Sequence, residues 1–584
     1  MKKIILGVAV SAALFSIEAS ALSTSVIPVI AATSPSKVDW STTTGVQNVG
    51  NVPAANVVYA NGSSAATKFL GNAILAVAAP NTIVYKYVNG TAADILTYVF
   101  TTGATPPTGF VANQNYIVHK RDRDGSLMAP MSATGLPGTA VVNAVTYNSL
   151  PNFALPATVT ATTCVATTAP SPTAAGLNTC TVSSTEVLLP APATATGLAG
   201  KAGILGIADV DAVQFASPLN GANTANLLTT KAATMGSIPV AAQVFGIAVN
   251  LKLRDAMQVA EVASGALTNA LCASDAVVRE TEACMPSFTS EQISSIFAQG
   301  RFNDWTNLSY GTNTNLVSAN TATKPANTAV QICSRAAGSG TLATVNTVYE
   351  NAPCTASNEA IQAATSATVN PVAINTVTTN EGAAGATKAY YSTVGSGDVE
   401  NCLKTMDSFS ATAPGTPGYG NFALGTGQVP TFTPAAAAGG FRWAVGILNA
   451  DRNTANALPY RFVKIDGYAP SLANTANGKY RFWSELSAIK ATAATALTGG
   501  SLGLYNAMID PAIIAKSTAT NPAGFTTGYM GVASTAVSGA TAFDPLRPVM
   551  PFTHQNLANT AGSVNHCRAA TIMSGATKYL PWLN

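Results

Sequence analysis

Cys333-Ser334-Arg335-Ala336-Ala337-Gly338-Ser339-Gly340-Thr341 joins two segments of opposite character. Before it runs a short β-prone stretch, Thr328-Ala329-Val330-Gln331-Ile332, and after it Leu342 to Glu350 reads as the first turns of a helix. A strand, a Gly-rich turn carrying hydroxyls and a helix start together can hold an anion. The first turn of a helix presents free N–H groups, and its dipole favours negative charge there. Gly338 and Gly340 permit close backbone approach. Ser339 and Thr341 bring hydroxyl donors, and Arg335 brings a planar two-pronged donor suited to a tetrahedral oxyanion. The same residues also fit a plain helix N-cap after a turn, so taken alone they leave both readings open.

Outward from this loop, strands and helices alternate. Asn56 to Ala60 is β-prone and enters Asn61-Gly62-Ser63-Ser64, after which Ala65 to Val77 reads as a helix. Thr82 to Val88 is a strand, 92–100 reads as helical, and Asn115 to Arg121 is a strand ending in the charge cluster Asp122-Arg123-Asp124-Gly125-Ser126. Its Asp122-Arg123-Asp124 run has the character of a solvated face. Ala202 to Asp209 is a buried strand with a carboxylate at its end, and Val244 to Asn250 is strongly strand-like. Ser287 to Gln292 carries an N-cap signal before a short helix from Ile293 to Ala298. Tyr391 to Asp398 opens another helix over Val399 to Met406. Phe441 to Asn449 is a strand or helix, and 461–468 and 479–485 read as strands of a later sheet. Residues 22–51 read as irregular, 409–438 as a Pro/Gly/Ala-rich linker, and 136–199 as an inserted hairpin or long loop. Such alternation predicts an α/β fold with ligands at the strand C-termini.

The chain has 584 residues, and its start has the form of a secretory signal. Lys2-Lys3 precedes an apolar run, Ile4 to Ile17, and a small-residue cleavage site, Ala19-Ser20-Ala21, so residues 1–21 are expected to be removed. No later run is long and apolar enough for a membrane span. An exported protein, periplasmic or at the cell surface, is therefore expected. The eight cysteines, an even count, suit an exported chain held by disulfides. Nearest-neighbour pairing gives Cys164–Cys180, Cys272–Cys284, Cys333–Cys354 and Cys402–Cys567, one of roughly a hundred connectivities. No Cys-x-x-Cys occurs, and His119, His554 and His566 have no paired cysteines nearby, so no metal or other cofactor is expected. His566 adjoins Cys567, but one such neighbour pair is more often structural, and no histidine has a convincing Ser or Cys nucleophile near it in sequence, so no catalysis is expected. Only 9% of residues are charged, and the net charge is +3. That balance removes the electrostatic case for nucleic acid or an anionic membrane. It also gives a surface with little charge repulsion to oppose self-association.

Several of these segments, in this order, resemble the PstS-type phosphate-binding proteins of ABC importers, most of all a larger exported variety. Gly62-Ser63-Ser64-Ala65 resembles the family's first phosphate loop, Gly125-Ser126 its Gly-Ser-Ser-Gly turn, and Gly206-Ile207-Ala208-Asp209 its Gly-Ala-Ser-Asp strand end. Gly246 to Asn250 resembles the strand after the first crossover, and 290–305 the helix that ends in a Gly and then a Trp. The Arg335–Thr341 loop resembles its Arg-Arg-x-Asp-Gly-Ser-Gly-Thr loop, and Val463 to Pro470 a stretch of the larger variety. The likeness spans roughly 56–127 and 201–443.

The resemblance implies the two-lobed periplasmic-binding fold of type II, with phosphate or a related oxyanion in the cleft. Lobe I would take 22–243 plus 430–584, including the 136–199 insertion and a C-terminal extension, and lobe II would take 244–429. Ser64, Ser126, Asp209, Arg335, Ser339, Gly340 and Thr341 would ring the ligand, with Ser63 an alternative to Ser64. An ABC importer complex would be the partner. Ala337 stands where the family has the Asp that pairs with the Arg, and Ala208 where it has a Ser. These departures, with the low charge, the insertion and the C-terminal region, support a second reading: a secreted cell-surface or self-assembling protein on the same fold. Residue by residue, plainer roles stand beside the ligand set: Asp209 as a turn cap, Arg335 as a surface residue, Ser126 as a turn residue, and Trp305 and Trp483 as core.

Overall fold

Val57-Val58-Tyr59-Ala60-Asn61-Gly62 forms a strand and Thr67–Val77 a helix, because the residue pattern changes period between them. The helix buries Phe69, Leu70, Ala73, Ile74 and Val77, a stripe at helical spacing. Each large apolar side chain so buried contributes about 1.5–3 kcal/mol. The computed structural model describes residues 27–30, 37–42, 45–89, 95–122, 125–130, 140–142, 145–147, 152–154, 163–166, 170–182, 185–187, 205–216, 220, 235–298, 302–311, 314–325, 327–335, 338–352, 354, 389–393, 395–407, 441–491, 497–510, 513, 529–532, 549–550, 552–554 and 571–572.

Among these, one mixed sheet contains fifteen strands. In chain order they are β1 Val57–Gly62, β2 Ile83–Asn89, β3 Ile95–Thr101, β4 Asn115–Arg121, β5 Thr163–Ala166, β6 Gly176–Val182, β7 Leu205–Ala208 and β8 Met235–Asn250. There follow β9 Gln331–Arg335, β10 Ala389–Thr393, β11 Ala444–Asn449, β12 Tyr460–Phe462, β13 Trp483–Ala491, β14 Tyr529–Val532 and β15 Val549–Met550. The spatial order is β5-β6-β2-β3-β4-β1-β7-β13-β8-β11-β9-β10; β12 and β14 also pair β8, and β15 pairs β14. Parallel pairs bring β1 beside β4 and β7, and β9 beside β10 and β11.

The helices that matter for the site are α1 Thr67–Val77, α2 Leu251–Ser264, α3 Ser290–Phe297, α4 Gly340–Glu350, α5 Ser396–Asp407 and α6 Gly499–Ile509. Sixteen-residue β8 serves both halves of the sheet. Its first half pairs β13 and its second half pairs β11. The register shifts between Pro239 and Ala241, where a residue without an N–H cannot continue the ladder. One hydrophobic core lies among α1, α6 and β1–β4, around Phe69, Tyr98, Tyr116 and Leu504. A second lies around Phe245, Met257, Trp305, Trp443 and Phe482. Trp305 and Trp483 are core residues, as expected.

Several sequence expectations change. The 92–100 segment is strand β3, not helix: Ile95-Leu96-Thr97-Tyr98-Val99-Phe100-Thr101 is β-branched and aromatic, and it pairs antiparallel on both edges. Residues 22–51, expected to be irregular, include a three-stranded antiparallel sheet of Ile27–Ile30, Lys37–Thr42 and Gly45–Asn51. The 136–199 insertion contributes β5 and β6, an antiparallel pair with Cys164 opposite Cys180, docked parallel on β2. The side chains of that cysteine pair lie outside the described residues. Trp483–Ala491 belongs to no later sheet; it is β13, between β7 and β8. Residues 1–21, expected to be a leader, and Ala337 and Cys567 also lie outside the described residues.

The Cys272–Cys284 disulfide is present. Cys333 pairs with Cys402, which overturns both Cys333–Cys354 and Cys402–Cys567. After β10 the chain returns as α5 over β9, and Cys402 lies on the buried face of α5 with Val399, Leu403 and Met406. Packing brings Cys402 to Cys333 despite a sequence separation of 69. Cys354 is disulfide-bonded as well. Among the described residues no helix is long and apolar enough to cross a membrane.

Candidate functional site

Four strand ends meet at one place: β1 runs into α1, β9 into α4, β10 into α5, and β7 ends beside Asp209. Gly62 makes the first turn possible. At its φ of 129°, an added Cβ would fall 2.0 Å from the Ile207 carbonyl oxygen. The next residue, Ser63, donates its N–H to that oxygen at 2.8 Å. Ser63 Oγ then accepts the N–H groups of Ala65 and Ala66, at 2.9 and 3.3 Å, ahead of α1.

The Gly125-Ser126 turn is stitched to the arginine loop. Leu127 N–H donates to the Gly338 carbonyl at 2.9 Å, and Gly338 N–H donates to the Asn220 carbonyl at 2.6 Å. Ser126 Oγ accepts the Asp209 N–H at 3.1 Å, which leaves its own proton to donate elsewhere. Ser339 is the N-cap of α4, its Oγ accepting the Leu342 N–H. Thr341 Oγ1 donates to Asp209 Oδ2 at 3.3 Å and accepts from Arg335 Nη1 at 3.5 Å. Arg335 Nη1 also donates to Ser396 Oγ at 3.1 Å, and Ser396 Oγ lies 3.5 Å from Ser64 Oγ. The structure thus gathers Ser64, Ser126, Asp209, Arg335, Ser339, Gly340 and Thr341 around one point. Arg335, at 2% exposed, is not a surface residue, while Ser126 is a turn residue as expected and is fully buried beside Asp209.

The charges are buried together. Burial pushes the Asp209 carboxyl up, while the Ser63 hydroxyl, the Arg335 charge, and the Ser126 and Thr341 hydroxyls pull it down. Burial pulls Arg335 down to about 10, against the attraction of Asp209 and Asp398. Asp209 Oδ1 meets no hydrogen-bond partner among the described residues. A second buried cation, Lys120, donates to the Ser63 carbonyl at 2.7 Å and to Thr67 Oγ1 at 3.2 Å, and pairs with Asp122. Burial lowers Lys120 to about 7, with Asp209 opposing. This corrects the expectation for the charge cluster after β4 at Asp122 alone, since Arg123 and Asp124 lie outside the described residues. Asp122 is 9% exposed and bonded to Lys120 and Thr67, so it is not a solvated face.

Sequence reasoning missed Lys120 and Ser396. Lys120 left only a weak signal, one of two adjacent cations at the end of a strand. Ser396 left a better one: Gly395-Ser396-Gly397 repeats Gly338-Ser339-Gly340 at a second strand–helix junction. Among the described residues no group of three or more His, Cys, Asp and Glu is placed to hold a metal ion. Chemically, the arrangement offers one guanidinium, several hydroxyl protons and three helix starts to an anion, with one carboxylate acceptor facing them.

No protein-family model matches the chain. No curated protein matches it. One solved structure with some likeness is a protein provisionally assigned as a phosphate ABC transporter substrate-binding protein, with bound phosphate, from Clostridium perfringens. It is 12% identical, at a TM-score of 0.28, over 56% of this chain and 79% of that one. Another is a possible phosphate binding protein from Planctomyces limnophilus, 10% identical, at a TM-score of 0.22, over 49% of this chain and 63% of that one. Neither likeness is close enough to carry an argument.

Proposed function

We propose that this protein is an exported solute-binding protein that takes phosphate or a related tetrahedral oxyanion and performs no catalysis on it. The observation that carries this reading is the buried Arg335–Thr341–Asp209 chain at the N-termini of α1, α4 and α5. A guanidinium and helix N–H groups hold the negative oxygens. Asp209 accepts the one proton of monohydrogen phosphate. The ligand lies in a cleft between two α/β lobes, one built from both chain ends and one from the middle. Disulfides and the leader-like start suit the periplasm or the cell exterior. An ABC importer complex is the receiving partner.

Calorimetry on phosphate-stripped protein tests this. Micromolar or tighter binding, about 8 kcal/mol, is expected, and it should vanish in Arg335→Ala. No heat with phosphate, and a variant indistinguishable from wild type, would refute the assignment.

One observation favours a second reading, a self-assembling surface protein. With only 9% charged residues, the chain carries little repulsion between copies. Electron microscopy of the purified protein distinguishes the two: ordered assemblies support the second, and isolated monomers exclude it.

A further inference from the structure

Ser396 opens α5. Its Oγ accepts a hydrogen bond from Arg335 Nη1 at 3.1 Å and lies 3.5 Å from Ser64 Oγ. With its lone pair taken by the guanidinium, the Ser396 hydroxyl proton is directed to another acceptor, either Ser64 Oγ or a bound oxygen. Two residues on, Asp398 Oδ2 accepts the Gly395 N–H at 2.9 Å and so fixes the turn on which Ser396 sits. Asp398 also places a negative charge near Arg335. The loop that follows Arg335 offers no such group, since it continues Ala336-Ala337. The Cys333–Cys402 disulfide ties the two elements together, entering β9 two residues before Arg335 and leaving α5 six residues after Ser396.

Resting on the oxyanion-binding reading, we infer that Ser396 is both the positioning residue of Arg335 and a further ligand contact, with Asp398 holding the turn on which Ser396 sits. Arg335 is then aimed from the helix start that follows the neighbouring strand, 61 residues along the chain. The arrangement needs a hydroxyl at 396 and an acceptor at 398. Alanine at 396 would remove the 3.1 Å bond, which is shorter than the 3.5 Å bond to Thr341.

The test uses the full mature chain with inorganic phosphate as probe. Ser396→Ala is expected to weaken phosphate binding at least about tenfold, the size of a lost hydrogen bond to a charged group. Its phosphate-free melting temperature should stay at the wild-type value. Ser396→Thr, which keeps the hydroxyl, should recover binding to within about threefold. Asp398→Asn should fall between them. A second readout needs no ligand: the Arg335 Nε–H NMR signal of the phosphate-free protein should shift in S396A and return in S396T. If wild type binds phosphate and S396A binds it within about twofold, with the Nε–H signal unmoved, the inference fails and the oxyanion site stands. If wild type takes no phosphate, the site reading and the ligand contact fall together, while the NMR signal still decides whether Ser396 positions Arg335.

Discussion

Gly340 and Asp209 are in contact that no larger residue could make: a methyl on Gly340 would lie 2.5 Å from Asp209 Cβ and 2.6 Å from Ser126 Oγ. The start of α4 is thereby pressed against the end of β7, and this puts Thr341 within reach of the carboxylate. Gly340→Ala should force Asp209 and Ser126 back. An overpacked site of this kind costs about 1–3 kcal/mol. Urea denaturation should show that loss, and phosphate should no longer raise the melting temperature. Gly397→Ala is the control, because nothing lies within 4 Å of its added Cβ.

Asp209 should decide how many protons the ligand carries. Its Oδ2 already receives the Thr341 proton, and Oδ1 meets no partner among the described residues. Monohydrogen phosphate supplies a proton to that oxygen. Sulfate supplies none and leaves a buried acceptor unsatisfied, a penalty of about 1–3 kcal/mol. Wild type should therefore bind phosphate well ahead of sulfate in competition calorimetry. Asp209→Asn, which can turn an N–H to the ligand, should narrow or invert the preference. Unchanged affinities for both anions in the variant would count against the assignment.

The two described disulfides should separate in their effects. Cys333–Cys402 closes a segment of 69 residues and Cys272–Cys284 one of 12. Chain entropy puts their loss at about 4 and about 3 kcal/mol. C333A/C402A should lower stability and also weaken phosphate binding, because it loosens β9 from α5. C272A/C284A should lower stability alone. Denaturation curves and calorimetry on both double variants check this.

Local letters made the strand–turn–helix units legible. Gly62-Ser63, Gly125-Ser126, Asp209 and the Arg335 loop could be picked out one by one, because turn chemistry and helix caps depend on a few adjacent residues. Pairing was not legible. Cys402 reaches Cys333 only because α5 folds back on β9, and β13 enters the middle of the sheet from near the chain's end. The 92–100 stretch reads as helix in sequence because its apolar run fits either period until two neighbouring strands claim the edges of 95–101. Lys120 was hidden for a related reason: a cation in a strand declares its role only once the Ser63 carbonyl and Asp122 are in place.

Glu261 gives the fold a pH dependence away from the site. It is 4% exposed, and burial raises its carboxyl from 4.5 to about 7, although the Ser287 N–H donates to it at 2.8 Å. Between those two values the folded chain holds a proton that the unfolded chain has released. Stability therefore falls as pH rises through that window. Glu261→Gln keeps the Ser287 acceptor and removes the titration. Its melting temperature should exceed that of wild type at pH 8, and the difference should shrink toward pH 4.

Lys120 has the opposite sign and reports on the ligand. Burial lowers its ammonium from 10.5 to about 7. Across that interval the unfolded chain carries the proton and the folded chain does not, so this group makes stability rise with pH from about 7 toward 10.5. Lys120→Met should remove that slope from melting curves taken in series, whatever it does to the midpoint at any one pH. A bound oxyanion adds negative charge beside Asp209 and favours the charged ammonium again. Phosphate binding at pH 8 should then take up protons, seen as binding heats that scale with the ionisation enthalpy of the buffer. The uptake should be smaller in K120M and should fade in wild type at pH 6, where Lys120 is already charged.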